Sequence, residues 1–181
     1  TLMIAAAATG GDVIITGAIP THMEALSAKL LEMGVYIREE DDLIHVRSNG
    51  RLRAISVKTQ GYPGFPTDLQ QPMTALLTVS TGSSVVTENI FDSRFKYVSE
   101  LERMGARIRV IDNTAIIEGV DRLVGTSVHA TDLRAGAAMI VAGLLAEGET
   151  VISGVAHIDR GYERLDHKLN LLGAMIERVP E

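Results

Sequence analysis

The hydrophobic positions of this chain fall into a series of runs, and the same series recurs three times. Each series begins with a small-residue, strongly apolar segment: Leu2 to Ala8, Met73 to Val79, and Ala135 to Ala146. The last is apolar all the way round, which on a helix means burial on every side, so the three segments predict an inner set of helices packed on one another. A glycine then leads a short strand: Gly11 before Val13-Ile14-Ile15, Gly82 before Val85-Val86, and Gly148 before Val151-Ile152. An amphipathic helix follows. Met23, Leu26 and Leu30, then Phe95, Val98 and Leu101, then Tyr162, Leu165 and Leu169 share one face at spacings of three and four. Thr21 after Pro20 is a candidate N-cap, and Gly34, Gly105 and Gly173 are candidate C-caps.

From lead glycine to closing glycine the separations are 23, 23 and 25 residues, and the lead glycines lie 71 and 66 apart. A period of that length suits a folded supersecondary unit better than a short solenoid coil. After the closing glycine the pattern changes to alternation. In Ala106-Arg107-Ile108-Arg109-Val110 the apolar residues take one face and the arginines the other, as a sheet with one wet side requires. Turns at Glu40-Asp41-Asp42 and Asp112-Asn113-Thr114 lead into further strands, Leu43 to Val46 and Ala115 to Glu118, and the connectors Arg51 to Thr59 and Val124 to Ala130 also read as strands. The unit is therefore helix, strand, helix, strand, strand. The expected fold is one α/β domain with helices inside and sheets outside, in three pseudo-repeats covering about 1–49, 67–119 and 131–180. The first repeat is expected to be incomplete by a strand.

Composition narrows the class. The 181 residues are 46% hydrophobic and 22% charged, as in one globular domain, but with three Phe, four Tyr and no Trp the core must be built from Ala, Val, Ile, Leu and Met. The absence of cysteine excludes a disulfide framework, a thiolate metal site and a cysteine nucleophile within these residues, and is compatible with a cytoplasmic location. A formal charge of −6, with no basic stretch interleaved with aromatics, argues against nucleic-acid or anionic-membrane partners. The longest apolar run is too short to span a bilayer. Thr1 opens directly into the first apolar run with neither initiator Met nor basic flank, which reads as a piece cut inside a helix and not as a signal peptide.

Three stretches depart from packing residues. Gly61-Tyr62-Pro63-Gly64-Phe65-Pro66-Thr67-Asp68-Leu69-Gln70 is a rigid loop delivering Asp68 to a helix start, and the third copy repeats its end as Thr131-Asp132-Leu133-Arg134. From spacing alone the N-cap reading of these aspartates is favoured over a catalytic one, although a capping loop also holds a carboxylate rigidly. Asn89 to Phe95 and His157 to Glu163 lie between strand and amphipathic helix, each with an arginine at the helix entry, Arg94 and Arg160. A cation beside the positive end of a helix dipole makes better sense if an anion joins it, whereas the simpler reading is an Asp–Arg pair on a solvated surface. Pseudo-symmetry would gather all three stretches at one end of the domain. The five histidines show no metal-ligand spacing, and no glycine-rich phosphate loop is present, so neither a metal nor a cofactor is expected.

The strings Phe65-Pro66-Thr67-Asp68-Leu69-Gln70, Thr131-Asp132-Leu133-Arg134-Ala135-Gly136 and His157-Ile158-Asp159-Arg160-Gly161-Tyr162-Glu163 resemble the UDP-N-acetylglucosamine 1-carboxyvinyltransferase (MurA) family, over essentially the whole chain. The resemblance implies the EPSP synthase-like fold, an inside-out α/β barrel domain, with this chain forming the C-terminal part of the enzyme. It implies transfer of enolpyruvyl from phosphoenolpyruvate to the 3-hydroxyl of UDP-N-acetylglucosamine, the first committed step of peptidoglycan synthesis. By position it implies that Asp68 contacts the 3-hydroxyl and is the candidate base, with Thr67 helping to fix the sugar. Ile90 would offer a backbone contact to the nucleotide sugar and Arg94 would support that loop. Asp132 would sit near the reacting centre, Arg160 would bind phosphoenolpyruvate, and Arg134 would orient Asp132 or the anion. The family's cysteine-bearing loop, and a lysine and an arginine that grip phosphoenolpyruvate, belong to a second domain that this sequence does not contain, so the chain alone is expected to be inactive. The alternatives are a non-catalytic UDP-sugar-binding module and a purely structural repeat domain.

Overall fold

The computed structural model of the chain describes residues 1–180. Three helices form its centre: α1 (Leu2–Ala8), α3 (Gln70–Leu77) and α5 (Leu133–Leu145), each in contact with the other two. They are rich in alanine and other apolar side chains because most of their surface is covered. Every residue of α3 is buried, as are Met3 to Ala7 of α1. In α5 the close approach is explicit, since a Cβ on Gly136 would lie 2.4 Å from the Ile158 side chain. The expectation of an inner helix set is met.

Around this centre lie β1 (Asp12–Thr16), α2 (Glu24–Met33), β2 (Tyr36–Glu40), β3 (Leu43–Arg47) and β4 (Ser56–Lys58). After α3 come β5 (Ser83–Thr87), α4 (Val98–Arg103), β6 (Arg107–Ile111), β7 (Thr114–Glu118), β8 (Leu123–Val124) and β9 (Ser127–His129). Beyond α5 the chain forms β10 (Ala146–Glu147), β11 (Val151–Ser153), α6 (Ala156–Asp159) and α7 (Leu165–Leu171). One sheet runs β1-β3-β2, all antiparallel, with Val13 and Ile37 both opposite Val46. A second runs β4-β5-β7-β6, in which β4 joins β5 in parallel and the rest are antiparallel. Two parallel pairs, β10 with β8 and β11 with β9, complete the set.

Three expectations need correction. None of the four sheets closes on itself among the described residues, so strand pairing gives a mixed α/β fold around central helices and not a continuous barrel. Thr21 caps nothing: Pro20 opens a short 3-10 turn, Pro20–His22, and α2 begins after Met23 with no side-chain cap. The connectors are shorter as strands than their sequence suggests, forming strands only at Ser56–Lys58, Leu123–Val124 and Ser127–His129, with isolated bridges from Arg53 to Thr81 and Thr59 to Phe65. The glycine reading holds: Gly34, Gly105 and Gly173 follow α2, α4 and α7 with positive φ, the left-handed conformation that ends a helix without Cβ strain. The amphipathic faces also hold, with Leu26, Leu30, Val98, Leu101, Leu165 and Leu169 all buried. No helix among the described residues is long and apolar enough to cross a membrane.

Candidate functional site

The two Thr-Asp turns meet at the entries of α3 and α5. Residues Gly61 to Pro66 form a tight excursion. It is closed by the Gln60 N–H donating to the Phe65 carbonyl (2.9 Å) and anchored by the buried Phe65 ring. It returns the chain into a 3-10 turn, Thr67–Leu69, ahead of α3. The Asp68 side chain caps no backbone amide there and is 64% exposed. Its Oδ1 accepts from Arg134 Nε at 2.5 Å. Asp132 behaves differently. It is the N-cap of α5, in extended conformation, and its Oδ1 accepts from the backbone N–H groups of Arg134 (2.8 Å) and Ala135 (3.1 Å). Arg134 thus touches both carboxylates, Asp132 through its amide and Asp68 through its guanidinium. The structure brings these three residues together at one end of the central helices.

The loop after β5 joins the same end through a residue the sequence reading passed over. Glu88 is 2% exposed and its carboxylate accepts four hydrogen bonds. Oε1 takes the Thr59 hydroxyl (2.9 Å) and the N–H groups of Ile90 (2.9 Å) and Phe91 (3.2 Å), while Oε2 takes the Thr67 hydroxyl (2.9 Å). The Thr59 hydroxyl in turn accepts from the Asn89 N–H at 2.8 Å. Thr67, expected to fix a sugar, therefore has its proton engaged inside the protein and ties the Asp68 turn to the Ile90 loop. Arg94 stacks on Phe91, its guanidinium carbon 4.2 Å from the ring centre, beside a cleft of about 230 Å³ lined also by Glu88, Asp112 and Asn113.

Arg160 occupies a place other than the one expected. It is the C-cap of the short helix α6, where a cation is favoured by the helix dipole, so the argument that its position demands an anion does not apply. Arg94 likewise precedes α4 by several residues and sits in the loop. The backbone around Arg160 does lie at the entry of α5, for a Cβ on Gly161 would meet the Leu133 side chain at 2.6 Å. No hydrogen bond or ion pair joins the Arg160 side chain to Asp68 or Asp132 among the described residues. Its neighbour Asp159 is held by Arg178, whose NH2 donates to one carboxyl oxygen at 2.6 Å and NH1 to the other at 2.9 Å. The same guanidinium also binds Asp166, Nε to Oδ2 at 2.9 Å, so residues near the C-terminus brace the segment that carries Arg160. Both carboxyls are held below the usual range, chiefly by hydrogen bonds from Arg178.

One signal could have found Glu88. Six residues after the lead glycines stand Gly17, Glu88 and Gly154, and the glycines have φ of +68° and +74°. A buried acid replaces a conformationally special glycine in just the copy that carries Asp68.

A family model described as EPSP synthase (3-phosphoshikimate 1-carboxyvinyltransferase) matches residues 1–169, and the chain belongs to that family. Among curated relatives, the UDP-N-acetylglucosamine 1-carboxyvinyltransferase 3 of Caldanaerobacter subterraneus subsp. tengcongensis is 56% identical over all of this chain and 43% of its own length. The UDP-N-acetylglucosamine 1-carboxyvinyltransferase of Desulfofundulus thermocisternus is 58% identical over 99% of this chain and 74% of its own. The chain thus spans less than half of the first relative. In structure it is similar to the enolpyruvyl transferase NikO from Streptomyces tendae, with a TM-score of 0.83 and 26% identity over 96% of this chain and 42% of that one. The EPSP synthase of Acinetobacter baumannii shares the fold, with a TM-score of 0.65 and 21% identity over 90% of this chain and 42% of that one.

Proposed function

We propose that the chain is part of a UDP-N-acetylglucosamine 1-carboxyvinyltransferase, acting in the cytoplasm on UDP-N-acetylglucosamine and phosphoenolpyruvate. Its three helix-inside, sheet-outside units are read as one inside-out α/β domain. The observation that carries the reading is the exposed Asp68 carboxylate, free of backbone capping and aimed by Arg134, which Asp132 holds by its amide. It gains its specificity from the relatives' shared name at more than half identity over nearly the whole chain.

The reaction needs a base for the sugar hydroxyl, an acid for the methylene carbon, and cations for the phosphate and carboxylate groups. In the addition, the 3-oxygen bonds to C2 of phosphoenolpyruvate as its proton leaves to the base, and the methylene carbon takes a proton to become methyl. In the elimination, that methyl returns a proton, the C–O bond to phosphate breaks, and the enolpyruvyl ether remains. Asp68 is assigned as the base that receives the hydroxyl proton. Asp132 stands by the reacting centre, and Arg134 fixes both carboxylates relative to each other. Arg160 is assigned to phosphoenolpyruvate, carried by the braced α6 segment whose Gly161 packs on Leu133 at the entry of α5. Thr67, Ile90 and Arg94 belong to the nucleotide-sugar side.

Phosphate release from the two substrates by the full-length protein tests the reading. The full-length protein is expected to turn over, and the isolated chain to release none. A full-length protein that binds neither substrate would overturn the assignment.

A further inference from the structure

We propose that Glu88 is the positioning residue that fixes the Asp68 turn against the Ile90–Phe91 backbone, and so sets how the nucleotide sugar is presented to Asp68; this rests on the function proposed above. A carboxylate buried without a cationic partner is costly unless hydrogen bonds replace its water. Glu88 has no ion pair among the described residues, and its compensation is wholly in donors: two hydroxyls and two backbone amides. Those donors come from three separate stretches of chain. Thr59 follows β4, Thr67 opens the turn that carries Asp68, and Ile90 and Phe91 begin the loop after β5. Among the described residues, no other side chain is hydrogen-bonded to both the Asp68 turn and the Ile90 loop.

The fold does not need an acid at this point. Where β11 ends, the Ala130 N–H donates to the Ser153 carbonyl at 2.9 Å, just as the Thr59 N–H donates to Thr87 at 2.9 Å where β5 ends. The next residue there is Gly154, so tightly placed that a Cβ would come within 2.6 Å of the Ala130 carbonyl oxygen. In the copy bearing Glu88, seven residues (60–66) are inserted between Thr59 and Thr67, and the carboxylate fills the space between the parted chains. Insertion, acid and uncapped aspartate occur together and in one copy. The two backbone amides can only donate and so need an acceptor, and a carboxylate takes both hydroxyl protons as well without turning an N–H toward any of the four.

The test is steady-state phosphate release by the full-length protein carrying Glu88→Gln, with each substrate varied in turn and the melting temperature recorded. The expected result is a KM for UDP-N-acetylglucosamine raised about tenfold, the scale of one charge-assisted hydrogen bond, with the KM for phosphoenolpyruvate within about twofold of wild type. Thr67→Val, which removes one donor and keeps the shape, is expected to move the same KM in the same direction by less, and serves if the glutamine variant does not fold. Unchanged sugar KM in a folded variant overturns the inference, as does an equal rise in both KM values. A wild-type protein with no turnover overturns the proposed function, and this inference with it; an active wild type indistinguishable from Glu88→Gln overturns this inference alone.

Discussion

The Thr-Asp turns of the second and third copies begin from the same dipeptide and end in different chemistry. At Thr131-Asp132 the chain passes directly from β9 into α5, and the aspartate is consumed as a helix cap with two backbone N–H groups on one oxygen. At Thr67-Asp68 the 60–66 insertion delays the turn, a 3-10 segment replaces the cap, and the carboxylate is left facing solvent and a single guanidinium. A motif that starts a helix in one copy leaves an exposed carboxylate in the other. The difference lies in what surrounds the dipeptide: a close-packed glycine at Gly154, against a buried acid at Glu88.

The largest effect should separate the two aspartates kinetically. Asp68→Asn in the full-length protein is expected to lower kcat by roughly 10²–10⁴-fold, the usual loss on removing a general base, with the melting temperature unchanged because the side chain caps nothing. A variant with near-normal kcat would reduce Asp68 to a turn residue. Asp132→Ala should instead be visible in unfolding, costing about 1 kcal/mol for the lost cap of α5, whatever it does to turnover. Equal stability of the two variants would mean that Asp132 contributes no more to folding than Asp68 does.

Between these lies the backbone itself. Gly154→Ala combines a positive φ with a Cβ driven toward the Ala130 carbonyl, so a loss of about 2 kcal/mol or more is expected in denaturant unfolding. A neutral result would mean that the third copy has room at this point, and that Glu88 answers no special geometry in the second.

The repeat, the inner helices and the amphipathic faces were legible because they rest on periodicity, which each copy states in its own residues. The Asp68–Asp132 meeting was legible from the repetition of Thr-Asp. What was not legible depended on contacts between copies. The spacing favoured a cap at both aspartates, and only the insertion before Thr67 decides that one of them is released. The sequence alone puts Arg160 at a helix entry, because Gly161-Tyr162-Glu163 runs on into an apolar stripe. The short helix α6 ends at Asp159 instead and places the arginine at the opposite dipole end. Arg178, far along the chain from α6, gave no local sign that it would grip two carboxylates.

That grip supplies the smallest effect and the last contrast, since Asp68 and Asp159 are both paired with arginine but for different ends. Arg178 lowers the pKa of Asp159 and Asp166 in the folded state from an ordinary 3.8, so the contribution is present above that value and is lost as pH falls through the folded-state values. All three side chains are at least a quarter exposed, so water and salt screen much of the interaction. Arg178→Gln should therefore unfold slightly more easily than wild type from neutral pH down to about pH 4, with the gap closing below it as the carboxyls are protonated. The sharper readout is local. Amide exchange of residues 157–166 should quicken in the variant at neutral pH while the amides of α3 and α5 stay protected. Exchange that is unaltered in the 157–166 segment would mean that the Arg160 region is held by Ile158 and Gly161 packing alone, and that the two arginine–aspartate pairs do not divide into one for presentation and one for bracing.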